Sequence, residues 1–120
     1  MTTALPLLDD SVLDELRASI GGDEEFVRDL VSTFLVEEPA NLGQILEAAA
    51  RGDAEAIVRP AHTLKSSSAA IGAARLSAIS RQIEFAGREG RTDELASLAD
   101  KAGTAWAATV AALKEAGLAG

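Results

Sequence analysis

Apolar residues recur at intervals of three and four along most of this chain, and glycine and aspartate interrupt the pattern at a few places. The first run extends from about Asp10 to Ile20, with Leu13, Leu16 and Ile20 at helical spacing; Asp9 or Asp10 can cap it and Gly21–Gly22 ends it. It is short and needs tertiary support. Asp23 caps a long second segment reaching about Arg51, with Glu24 and Glu25 in the first turn, where the helix dipole favours negative charge. Its apolar stripe reads Phe26, Leu30, Phe34, Leu42, Ile45 and Ala49. Pro39 lies inside it and predicts a kink or a break near Val36 to Glu38, because proline has no N–H and its ring crowds the preceding turn.

Gly52–Asp53 marks the next turn, and a third segment runs from there to about Ile71 with Ile57, Ala61, Leu64, Ser68 and Ile71 facing inward. The fourth runs from about Ala74, after Gly72, to about Gly90, with Leu76, Ile79, Ile83 and Ala86 on its stripe. The fifth, from Thr92 or Asp93 to about Ala116, carries Leu95, Leu98, Ala102, Trp106, Thr109 and Leu113. Four substantial amphipathic helices with short connections predict an all-α fold: an antiparallel four-helix bundle with an additional short N-terminal helix over one end or flank. One domain over residues 1–120 is expected, with 1–8 flexible.

Composition sharpens this picture. Aromatic residues are only 3% against 48% hydrophobic, so the core must be aliphatic and rich in alanine. The absence of cysteine excludes disulfide and thiolate chemistry and fits a reducing cytoplasm. A net charge of −8 argues against nucleic acid, since phosphate backbones need a basic face. The charge is uneven. Six basic residues and two acidic ones between Ala56 and Arg91 make that window net +4, which leaves −12 for the rest. The N-terminus lacks the basic region of a signal peptide, and the small-apolar stretch from Ala105 to Leu113 is too short to span a bilayer, so no membrane association is expected.

The positive window holds the only histidine, His62. It follows the inward Ala61 and is therefore turned about 100° off the core stripe. Its neighbours on the helix surface are Val58, Arg59, Lys65 and Ser66, followed by Ala69, Gly72 and Ala73. Ser66, Ser67 and Ser68 weaken a helix interior without adding core volume. Close approach by another body is a physical reason to keep such a surface small. A neutral imidazole is a competent nucleophile and can hold a phosphoryl group. Lys65, one turn away, can neutralise charge on the phosphoryl oxygens. There is no glycine-rich phosphate loop, so the group must come from a partner protein and go to one. A carboxylate-bridged metal bundle would need two Glu-x-x-His motifs, and one histidine cannot supply them.

The run His62-Thr63-Leu64-Lys65-Ser66-Ser67-Ser68, followed by Gly72-Ala73, resembles the signature of histidine phosphotransfer (HPt) domains of two-component phosphorelays. That signature reads H-x-L-K-G-S/A-S/A, three variable residues, then G-A. Leu76, Arg81-Gln82-Ile83-Glu84 and Gly87-Arg88 resemble the family's next helix, and Phe26 to Leu35 resembles its preceding one, so the likeness covers roughly Asp10 to Leu113. The resemblance implies a phosphocarrier without kinase activity of its own. His62 would be the phosphoacceptor and Lys65 its electrostatic partner. Glu84 either accepts the ring N–H and sets the tautomer or is a solvated glutamate; Arg88 either flanks the phosphoryl site or is an ordinary surface arginine.

Partners would be response-regulator receiver domains and a hybrid histidine kinase, with the chain a cytoplasmic monomer. No cofactor is implied; the Mg²⁺ belongs to the receiver. The candidate docking face comprises Ser66, Ala69, Gly72, Ala73, Arg88, Leu13 and Leu16, with Phe34 assigned to core packing. Two rival roles share the fold: the phosphoacceptor module of a chemotaxis-type histidine kinase, and a helical adaptor without phosphotransfer. Ser66 departs from the commonest glycine, and Pro60, two residues before His62, removes an N–H bond to the Ala56 carbonyl and predicts a local kink.

Overall fold

Three aspartates set where the first helices begin. Asp9, Asp23 and Asp53 each accept a hydrogen bond from a backbone N–H one turn in, those of Ser11, Phe26 and Ala56. The helices they start are α1 (Asp10–Ser19), α2 (Glu24–Arg51) and α3 (Ala54–Ala70). Two more follow, α4 (Ala74–Arg88) and α5 (Thr92–Glu115), which begin without a side-chain cap. The computed structural model describes residues 5–119, and every regular element among them is a helix. Gly52 ends α2 in the left-handed conformation, at φ 65°, which admits glycine without steric cost.

Helices α2 to α5 pack each on the next, and α5 closes against α2, so the four form the expected bundle. All five residues of the inward stripe predicted for α3 are buried. Between α2 and α5 the Phe34 and Trp106 rings stack with centroids 5.3 Å apart. Helix α2 runs unbroken through the exposed Pro39, and α3 runs unbroken through the buried Pro60. The break considered at Pro39 does not occur.

The inward stripe of α2 differs from the predicted one in its first half. Val27 and Val31 are buried, whereas Phe26 is 44% exposed and Leu30 half-buried. The buried series continues through Phe34, Glu38, Leu42, Ile45 and Ala49, and its central member is a carboxylate. A charged residue at an inward position hides the true stripe from an apolar pattern.

Helix α1 lies over the turn between α3 and α4. The Asp9 N–H donates to the Gly72 carbonyl at 2.7 Å. Gly72 has φ 76°, and a Cβ there would stand 3.1 Å from the Asp9 carbonyl oxygen and 3.4 Å from Leu13 Cγ. Glycine answers both demands, backbone angle and close approach. Leu13 is thereby buried in the core, as is Phe34, while Leu16 is half-buried against it. Of the stretch 1–8 expected to be flexible, residues 1–4 lie outside the described residues; Leu5 accepts a 2.8 Å hydrogen bond from Arg75 Nε, and Leu8 packs on the core.

Candidate functional site

The site depends on how closely α3 and α4 approach. A Cβ on Gly87 would lie 2.7 Å from Ile57 Cγ2 and 2.9 Å from both the Ala54 carbonyl oxygen and Val58 Cγ2. No side chain fits there, so Gly87 lets the two backbones meet. The Ser77 hydroxyl adds a 2.9 Å hydrogen bond to the Lys65 carbonyl. Across this interface His62, with 55% of its side chain exposed, faces Glu84, with 8% exposed.

Glu84 is the hub of the cluster. Its Oε2 lies 3.0 Å from His62 Nδ1 and 2.7 Å from Arg88 Nη2, and its Oε1 lies 2.7 Å from Lys65 Nζ. Arg88 Nε makes a further bond to Oε2 at 3.1 Å. Burial alone would raise the pKa of this carboxyl group. The hydrogen bonds from Lys65, Arg88 and His62 outweigh burial and bring it down to about 2. Glu84 is therefore an anion at neutral pH and can only accept hydrogen bonds. Nδ1 of a neutral His62 must then carry the proton, which leaves the Nε2 lone pair free on the solvent side of the ring. The arrangement thus sets the tautomer of an exposed imidazole and turns one nitrogen outward as a nucleophile. Glu84 is no solvated glutamate, and Arg88 is tied to the cluster.

Two depressions border this cluster, one at His62 and Arg88 and the other at Lys65. One, of about 450 Å³, is lined by Glu55, Val58, Arg59, His62 and Arg88. The other, of about 850 Å³, is lined by Lys65, Ser66, Ala69 and Gly72 of the α3 side, by Arg81 and Gln82 of α4, and by Asp9 and Val12 near the start of α1. Exposed small residues Ser66 and Ala69 keep this second surface open. Two residues expected on a docking face lie in the core instead. Leu13 and Ala73 are 2% and 0% exposed, held in the core by the seating of α1 and by the tight α3–α4 turn. Gly72, beneath Asp9, has little exposed surface but lines the second depression. Ser68 is fully buried, and its hydroxyl has no hydrogen-bond partner among the described residues.

Sequence reasoning placed His62, Lys65, Glu84 and Arg88 as separate candidates and missed that one carboxylate joins them. Part of that junction was readable, since Glu84 and Arg88 are four apart on one helix. The Lys65 contact crosses between helices and has no local signal. No cluster of three or more His, Asp or Glu side chains suited to a metal exists among the described residues, nor is any described helix long and apolar enough to cross a membrane.

A comparison with curated proteins gives no match. Residues 29–116 match the family described as Hpt domain. Among solved structures the chain is similar to the crystal structure of histidine-containing phosphotransfer protein B (HptB) from Pseudomonas aeruginosa PAO1. The TM-score is 0.82 and the identity 27%, over 92% of this chain and 93% of that one.

Proposed function

Because the chain belongs to the Hpt domain family, we propose that His62 is the residue on which it carries a phosphoryl group between partner proteins. The chain is a histidine phosphotransfer intermediate of a phosphorelay, in a family of phosphocarriers that work with receiver domains and kinases. One observation carries the assignment to His62: the ring is exposed, and a buried ionised Glu84 holds its Nδ1.

Nε2 attacks the phosphorus of an aspartyl phosphate on a receiver. The N–P bond forms as the bond from phosphorus to the carboxylate oxygen breaks, and the aspartate leaves as a carboxylate. Nδ1 keeps its proton, so the ring becomes a cation, and the adjacent Glu84 carboxylate offsets that charge. The reverse step delivers the group to the aspartate of a second receiver. Lys65 and Arg88 hold Glu84 in place and raise the local potential for the incoming anion. Ser66 and Ala69, with the half-buried Leu16, belong to the surface a receiver would cover. The Mg²⁺ for this chemistry sits with the receiver, a hybrid histidine kinase is the upstream source, and the chain acts as a cytoplasmic monomer without kinase activity of its own.

The test is acid-labile labelling of the wild type and of His62→Gln by a panel of phosphorylated receivers, with circular dichroism as the fold control. The wild type should take up label and His62→Gln none, at unchanged helicity. Label retained by His62→Gln would refute the assignment.

A further inference from the structure

Resting on the reading of His62 as phosphoacceptor, we infer that Arg59 is a further phosphoryl-binding residue, the cation that meets the group as it arrives at Nε2. Arg59 precedes His62 by three positions on α3, so the two side chains are neighbours on one helix face. Both line the depression of about 450 Å³, together with Arg88, and His62 does not line the larger cleft. The imidazole therefore faces Arg59's side of the surface.

The charges explain why this third cation matters. Lys65 and Arg88 each contact Glu84 at 2.7 Å, so both are already engaged by an anion. The three together leave a net charge of +1 facing an incoming phosphoryl dianion. Arg59 is exposed and forms no ion pair among the described residues, although Glu55 lines the same depression. Its charge offsets that of Glu55 and keeps the site at +1, whereas without it Lys65, Arg88, Glu84 and Glu55 would sum to zero before the dianion arrives. A guanidinium also suits phosphoryl oxygens, because its N–H groups can bind two of them at once. Arg59 can swing toward Nε2 without breaking any ion pair of the resting site, whereas Lys65 or Arg88 would have to leave Glu84 and loosen the hold on His62.

A small phosphodonor separates contact with the phosphoryl group from contact with a receiver. Phosphoramidate transfers its phosphoryl group to an imidazole nitrogen as the P–N bond breaks and ammonia leaves, and no partner protein is needed. The full chain is incubated with phosphoramidate and the initial rate of phosphohistidine formation is followed. His62→Gln marks the background, and the distant Lys114→Ala is the charge-matched control. Arg59→Ala should slow labelling about tenfold, and Arg59→Lys should stay within about threefold of the wild type, since a point charge survives without the fork. Wild-type rates in Arg59→Ala would overturn the inference while leaving His62 in place. Slowing seen only with phosphorylated receivers would also overturn it, because Arg59 would then be a docking residue. Equal labelling of the wild type and His62→Gln would refute the assignment of His62 itself.

Discussion

Two glutamates are buried in this bundle, and they live differently. Glu84, on α4, meets two cations and an imidazole at distances of 2.7 to 3.0 Å. Glu38, on α2, is 4% exposed and has one side-chain hydrogen bond, from the Asn41 amide at 3.1 Å. Both lie on the inner side of a helix, yet only Glu84 is placed where two helices bring donors from both sides. Burial of a carboxylate is therefore not what marks the functional one. The mark is burial joined to two cations and an exposed imidazole, the group proposed to carry the phosphoryl.

The contrast can be broken most forcefully at Gly87, because Glu84 reaches His62 only if α3 and α4 stay close. Gly87→Leu should destabilise the fold by about 3 kcal/mol in urea denaturation, the upper range for overpacking, and should abolish phosphoryl uptake. Glu84→Ala comes next. It frees the His62 tautomer, and single-turnover transfer should fall about tenfold, with a stability loss of about 1–2 kcal/mol.

Glu84→Gln separates the two duties of that carboxylate. The amide oxygen can still accept a hydrogen bond from Nδ1–H, so transfer should stay within about threefold of the wild type, while stability at neutral pH falls. The sign with pH follows from the depressed pKa. The stabilisation from Glu84 is fully present above the ordinary carboxylate value of 4.5 and is lost as pH falls towards about 2. The stability gap between wild type and Glu84→Gln should close over that interval, and a gap that persists at pH 2 would reject the ionic account. Glu38→Gln should leave phosphotransfer unchanged, and a loss of transfer there would dissolve the distinction between the two glutamates. The smallest effect belongs to Ser68→Ala. Its unpartnered hydroxyl contributes no hydrogen bond, so thermal denaturation should show a change within about 0.5 kcal/mol, neutral or stabilising.

Much of the fold was legible because its signals are local. Aspartate caps, the left-handed Gly52 and the three–four spacing of aliphatic residues place all five helices to within a residue or two. The second half of the α2 stripe was legible, with Phe34, Leu42, Ile45 and Ala49 buried as expected, but its first half was not, since Val27 and Val31 face inward while Phe26 points outward. In the site, His62 and Lys65 could be placed by their spacing on one helix, but the convergence of three side chains on Glu84 depends on the distance between α3 and α4. That distance is set by Gly87, whose sequence context gives no clue that Ile57, Ala54 and Val58 press against it. The docking face was overread at Leu13 and Ala73 for the same reason, because the tertiary seating of α1 and the turn decides what remains exposed.

The central claim is that Glu84 fixes the proton on Nδ1 and presents Nε2 for phosphorylation. The most direct test is NMR of the ¹⁵N-labelled protein phosphorylated at neutral pH, reading the one-bond coupling between phosphorus and the ring nitrogens of its single histidine. Coupling to Nε2, with Nδ1 protonated before and after phosphorylation, is the predicted result. A phosphoryl group on Nδ1, the nitrogen that faces Glu84, would contradict it.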